Sequence, residues 1–182
     1  MLAERLAERW GGTWRTEKKF FAAVTECGFD GRRFILCRPQ TYMNASGEAV
    51  ARLASFYQIA PGATLVLVDD ADLPLGTLRL RPEGSPGGHH GLESVERHLG
   101  TQGYPRLKLG IARPQQASRD LVGHVLGKLS DTERTVWDKI LQRAVEQVEC
   151  WAVHGVAQAM NRYNGLALAG PDTTVNAERK TQ

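Results

Sequence analysis

Leu2, Leu6 and Trp10 recur at every fourth position, which predicts an amphipathic helix at the start of the chain. Two runs rich in β-branched and aromatic residues follow, 20–27 and 33–38, and they predict strands. The stretch Gly28-Phe29-Asp30-Gly31 between them signals a hairpin. Pro39 should end the second strand, and Asn44 stands where a helix N-cap is expected. Val50, Leu53, Ala54 and Tyr57 then give a helix an inward stripe that Pro61-Gly62 breaks.

The short unbroken apolar run Thr64–Val68 suits a strand buried on both faces, as in a parallel sheet. Leu78-Arg79-Leu80-Arg81 alternates, so it predicts a half-exposed strand. A short helix over 91–99 and a strand over 106–111 come next. Ser130-Asp131-Thr132-Glu133 reads as a capping box before a long helix that carries Trp137, Ile140, Leu141, Ala144, Val148 and Trp151 on one face. Gly155 interrupts that pattern, and a last short helix bears Ala157 and Met160. Alternating strands and helices imply an α/β fold, a single three-layer domain around a mixed, mostly parallel central sheet. The domain is expected over 1–165, with a loose polar tail over 166–182.

Composition narrows the class. A chain of 182 residues with 42% hydrophobic and 24% charged residues fits one ordinary globular domain. No apolar run reaches membrane-spanning length and no signal-peptide pattern opens the chain, so a cytoplasmic location is expected. Cys27, Cys37 and Cys150 form neither a CxxC pair nor a metal-ligand spacing and read as small buried hydrophobes. A net charge of +3 does not by itself argue for a nucleic-acid partner. Arg79, Arg81, Arg97, Arg106, Lys108 and Arg113 nevertheless fall in one third of the chain, which on charge alone reads as a solvated basic face.

The chemistry concentrates where the buried strand ends. Asp69, Asp70 and Asp72 follow it, and the loop Gly84-Ser85-Pro86-Gly87-Gly88-His89-His90-Gly91 comes soon after. In α/β sheets the crevice beyond the strand carboxyl ends receives ligands, which makes Asp69 the functional carboxylate candidate. Asp70 and Asp72 read as solvated turn carboxylates. A metal site built from the three lacks further ligands and the spacing of a calcium loop. His89 is expected to fix its loop by hydrogen bonds. The glycine loop follows neither the dinucleotide nor the P-loop order.

These words resemble the bacterial peptidyl-tRNA hydrolase family. The resemblance rests on residues 38–47, on the cluster from Asp69 to Gly76, on residues 87–92 and on residues 106–111, and it spans about Leu2 to Gly165. It implies hydrolysis of the ester between a peptide and tRNA, without metal or cofactor, by a monomer that recognises the tRNA acceptor end. It further implies that Asp69 orients a catalytic base, and that Tyr42, Asn44 and His90 contact substrate. Arg81 and Lys108 would clamp the tRNA phosphate, as paired cations suit an anion. By the residues alone, Asn44 is also an N-cap candidate and Tyr42 a core candidate.

The resemblance also implies departures. Family members begin with a central strand, an asparagine-bearing turn and a segment with the base histidine, whereas Met1 aligns inside the helix that follows them. The domain is therefore expected to be incomplete at its N-terminus, with apolar strand surface and unpaired backbone exposed. His90 stands where the family has asparagine. Three readings remain open: an ordinary hydrolase with an incomplete start, a family member that binds tRNA or another RNA without cleaving it, and an enzyme in which His90 or His89 replaces the base.

Overall fold

The structure, a computed structural model, describes residues 1–111 and 131–166. Residues 167–182 of the expected tail, Arg113, and Ser130 of the expected capping box lie outside the described residues, while Leu166, expected in the tail, pairs with Thr77 in a short strand. In chain order the elements are α1 (Leu2–Arg9), β1 (Arg15–Glu17), β2 (Ala22–Phe29), β3 (Arg32–Pro39), α2 (Ser46–Tyr57), β4 (Val66–Asp70), β5 (Thr77–Arg81), α3 (His90–Leu99), β6 (Arg106–Gly110), α4 (Asp131–Tyr163) and β7 (Gly165–Leu166). Asp30 and Gly31, both with positive φ, make the two-residue turn of the β2–β3 hairpin. Gly155, with φ +81°, breaks α4 as the sequence pattern indicates.

The strands form two sheets among the described residues: β1-β2-β3, and β4-β6-β5-β7. The second is mixed, but only β4 and β6 run parallel, and every other described pair is antiparallel. The expectation of one mostly parallel sheet is corrected accordingly. Short connections join β1 to β2 and β2 to β3, whereas β5 reaches its antiparallel partner β6 through α3 and meets β7 only after α4.

Helices cover both faces, which gives the three-layer arrangement. On one side Leu2, Leu6 and Trp10 of α1 and Ile140, Leu141, Val145 and Val148 of α4 share a core with Leu78, Leu80, Leu107 and Leu109. Trp10 stacks on Phe29 at 5.2 Å between ring centroids, and Arg9 holds Glu149 through two hydrogen bonds of 2.6 and 3.1 Å. On the other side, Leu53 and Ala49 of α2 pack on Val24 and Ala22, while Leu92 and Val95 of α3 pack on Val66 and Val68.

β4 departs from the sequence reading. Its apolar residues Val66, Leu67 and Val68 are only half-buried, because β4 is an edge strand paired on one side alone. An apolar run reports what a strand is built to bury, and here one flank faces an open cavity.

Candidate functional site

Strand alternation decides which side chains share a face of the sheet, since directly paired residues point the same way. Val68, Lys108 and Arg79 are paired in a row across β4, β6 and β5, and Val66, Arg106 and Arg81 form the parallel row. Asp69 is paired with Leu109, and Leu109 with Leu78, on the opposite face. The basic residues therefore occupy the α3 side of the sheet, and Asp69 points to the α4 side.

Asp70 shares the cationic face. Lys108 Nζ donates to Asp70 Oδ2 at 3.0 Å, with side-chain exposures of 19% and 15%. The Asp72 backbone N–H donates to Asp70 Oδ1 at 2.9 Å. Burial pushes the Asp70 carboxyl up, but the bonds from Lys108, Asp72 and Leu73 outweigh it and hold the carboxyl below its ordinary value. The sequence reading of Asp70 as a solvated turn carboxylate is corrected. Its partner lies 38 positions away and becomes a neighbour only through sheet pairing.

Arg106 is a second correction to the solvated basic face. It is buried, and its guanidinium donates to the carbonyls of Gly84, Ser85, Gln102 and Tyr104. Its plane also lies over the Tyr104 ring, 4.1 Å from the centroid. A buried cation needs acceptors, and these carbonyls supply them without a carboxylate. In doing so it fastens the start of the glycine loop to β6. Arg79 and Arg81 stay exposed on the same face.

The loop ends in a cap. His89 is the N-cap of α3, and its Nδ1 accepts from the N–H groups of Gly91 and Leu92 at 3.1 and 3.2 Å. This is the fixing role expected of it. With Nδ1 engaged as acceptor, Nε2 carries the proton, so the ring in this state donates and does not act as a base. His90 is exposed, its Nδ1 3.1 Å from Glu93 Oε2.

Two glycines bring the neighbouring loop close. A side chain at Gly47 would run into the Ser94 backbone, and instead the Gly47 N–H donates to Ser94 Oγ at 3.0 Å. A Cβ on Gly91 would sit 2.8 Å from Met43 Sδ. The 3-10 turn Met43–Ala45 is thereby seated against the start of α3. Asn44 lies inside that turn, exposed, and the N-terminus of α2 has no side-chain cap, which corrects its expected N-cap role. Tyr42 is 88% exposed, so it is not core.

Asp69 is exposed at the end of β4 and has no hydrogen-bond or ion-pair partner among the described residues. It lines a cavity of about 1120 Å³ together with Thr41, Met43, His89 and Gly91. Asn44, Tyr42 and His90 are not among the residues lining it. Among the described residues, no three His, Cys, Asp or Glu side chains gather as a metal site, and no helix is long and apolar enough to cross a membrane. The geometry thus offers an unpaired carboxylate and a fixed imidazole that line one cavity, and a cationic sheet face whose Arg106 pins the glycine loop.

Comparison with known proteins gives the family. The family model described as peptidyl-tRNA hydrolase matches residues 1–171. The chain belongs to the peptidyl-tRNA hydrolase family. It is 48% identical over 172 residues to the peptidyl-tRNA hydrolase of Synechococcus sp. (strain JA-3-3Ab), covering 94% of this chain and 76% of that protein. It is 41% identical to that of Desulforamulus reducens, covering 90% of this chain and 78% of the relative. The solved peptidyl-tRNA hydrolase of Acinetobacter baumannii superposes with a TM-score of 0.79 at 36% identity, over 90% of this chain and 82% of that one.

The sequence pointed to Asp69, Arg81, Lys108 and the histidine loop; the register puts Asp69 near the carboxyl ends of β4 and β6, Arg81 beside Arg106 at their opposite ends, and Lys108 between the two, with both cations on the face opposite Asp69. Sequence reasoning missed Arg106 as the loop's anchor and Asp70 as the partner of Lys108. Alternation along β6 was the available signal, since Arg106 and Lys108 must share a face.

Proposed function

We propose that this chain acts on the acceptor end of tRNA and hydrolyses the ester that joins a peptide, or an N-blocked amino acid, to its terminal ribose. Water adds to the ester carbonyl, the tetrahedral intermediate collapses, and the ribose hydroxyl leaves with a proton while the peptide departs as a carboxylate. The reaction needs an activated water and a polarised carbonyl, and no redox group. Asp69 is the carboxylate that the family resemblance assigns to orienting a general-base histidine and balancing its positive charge; His89, His90 and His98 bond other groups. His89 lines the same cavity, and with its Nδ1 engaged its Nε2–H is the donor it has to offer. Arg81 and Lys108 take the phosphate, with the exposed Asn44, Tyr42 and His90 as further contacts to the acceptor end.

The carrying observation is the division of the second sheet into two faces. An unpaired carboxylate stands on one and a basic row on the other, so that the polyanion and the reacting ester meet different groups. Recognition through phosphate implies strong salt dependence and tolerance of tRNA sequence. The protein works as a monomer in the cytoplasm, where its substrate arises.

The test is to incubate the chain with N-acetyl-aminoacyl-tRNA and follow release of free tRNA alongside binding. Cleavage supports the proposal. Binding without cleavage would mark a tRNA-binding member of the family, and an absence of both would overturn the reading.

A further inference from the structure

A side chain continues the ladder on the outer edge of β5. β7 covers that edge only at Thr77 and Leu78, which pair with Leu166 and Gly165. Two residues further along, the Leu80 N–H donates to Asn164 Oδ1 at 2.7 Å, and Asn164 Nδ2 donates to the Leu80 carbonyl at 3.1 Å. One amide thus satisfies both backbone groups of Leu80, as a residue of a paired strand would.

Gln147 sets the direction of that amide. It is fully buried in α4, and its Nε2 donates to Asn164 Oδ1 at 3.0 Å and to the Ala159 carbonyl at 3.3 Å. With N–H groups from Leu80 and Gln147 both aimed at it, Oδ1 is fixed as the acceptor, and a flipped Asn164 would meet donor with donor. Sending Nε2 to two acceptors leaves Gln147 Oε1 buried without a partner among the described residues, an unfavourable arrangement that goes with orienting Asn164. The break at Gly155 makes the meeting possible. In an unbroken helix Gln147 and Asn164 would stand about 25 Å apart.

The clamp falls between two cations. Leu80 separates Arg79, paired with Lys108, from Arg81, paired with Arg106. Arg81 and Lys108 are diagonal neighbours on one sheet face. Among the described residues, no hydrogen bond or ion pair holds the Arg81 guanidinium. Its place is therefore inherited from the β5 backbone, and Asn164 is what holds the outer edge of that backbone one residue away.

We propose that Asn164, oriented by Gln147, is a positioning residue for the phosphate clamp: it fixes the β5 backbone at Leu80 and so sets where Arg81 stands relative to Lys108. The inference rests on the reading of Arg81 and Lys108 as that clamp.

The test is a double-mutant cycle on the full chain, read by filter binding of deacylated tRNA. Asn164→Ala is expected to weaken binding about threefold or more, and to weaken it no further in an Arg81→Ala background. Urea midpoints of the same four proteins provide the contrast. A loss of stability from Asn164→Ala should be equal with and without Arg81, so a merely structural role would not produce the coupling seen in binding. Asn164 stands at the surface, so its truncation opens no buried cavity. Gln147→Met, which keeps the volume and removes the amide, is the second variant and should show the same dependence on Arg81. Wild-type affinity in both Asn164→Ala and Gln147→Met, or the same fold-loss in both backgrounds, would overturn the proposal. Wild-type affinity in Arg81→Ala itself would overturn the clamp reading, and the proposal with it.

Discussion

Lys108 and Asp70 form a half-buried ion pair, Nζ to Oδ2 at 3.0 Å, on the sheet face opposite Asp69. A cation proposed to meet phosphate is thus already held by a carboxylate of the same protein. Phosphate must compete with Asp70, which lies one residue from the proposed catalytic carboxylate.

Removing that competitor should strengthen binding. Asp70→Asn is expected to raise tRNA affinity about two- to fivefold, the range of a modest ion pair. Lys108→Ala should weaken binding and reduce the slope of log affinity against log salt by about one. Filter-binding titrations across a salt series measure both, and an unchanged slope in Lys108→Ala would count against the clamp.

Acid should dissolve the pair in a defined direction. The Asp70 carboxyl lies below its ordinary value of 3.8 in the folded chain, so the unfolded chain takes up the proton first as pH falls. The contribution is complete above about pH 5 and is lost as pH drops through the folded value. Denaturant unfolding of wild type and Asp70→Asn should therefore differ at neutral pH and converge under strong acid.

Alkali should act on Cys37. Burial pushes this thiol from 9.0 up to about 12. The unfolded chain ionises first, so stability should be complete below about pH 9 and decline as pH rises toward the folded value. Cys37→Ala should show a shallower alkaline decline in the same unfolding assay.

The buried guanidinium of Arg106 bonds four backbone carbonyls, and truncation leaves them without it. Arg106→Ala is expected to destabilise the fold by about 3 kcal/mol. Arg106→Lys should recover only part of this, since an ammonium cannot reproduce the planar fork. Urea midpoints give the magnitudes. Accelerated exchange at the Gly87 and Gly88 amides would show that the glycine loop is what loosens.

Much of this architecture was readable along the chain, and the failures share a cause. The β2–β3 hairpin shows itself because strand patterning and an Asp-Gly turn are local signals. The break at Gly155 and the alternation of β5 are local in the same way. Arg106 and Lys108 look alike in sequence, two cations separated by leucine, yet one is buried under Gly84 and Ser85 and the other pairs with Asp70. Those partners arrive through sheet register and loop closure, which single-chain periodicity does not encode. Asn44 occupies a residue type and position suited to capping. Close packing of Gly47 on Ser94 instead satisfies the α2 N-terminus and leaves the amide exposed. The apolar run at 64–68 announces a strand meant for burial but not which of its edges is paired.

The central claim is that Asp69 serves the chemical step while the opposite sheet face serves binding. Steady-state cleavage of N-acetyl-aminoacyl-tRNA by Asp69→Asn and by an Arg81→Ala, Lys108→Ala double variant separates the two. The account predicts that Asp69→Asn lowers kcat about a hundredfold or more with KM nearly unchanged, and that the double variant raises KM with kcat nearly unchanged. An Asp69→Asn enzyme with wild-type kcat and a raised KM would contradict it.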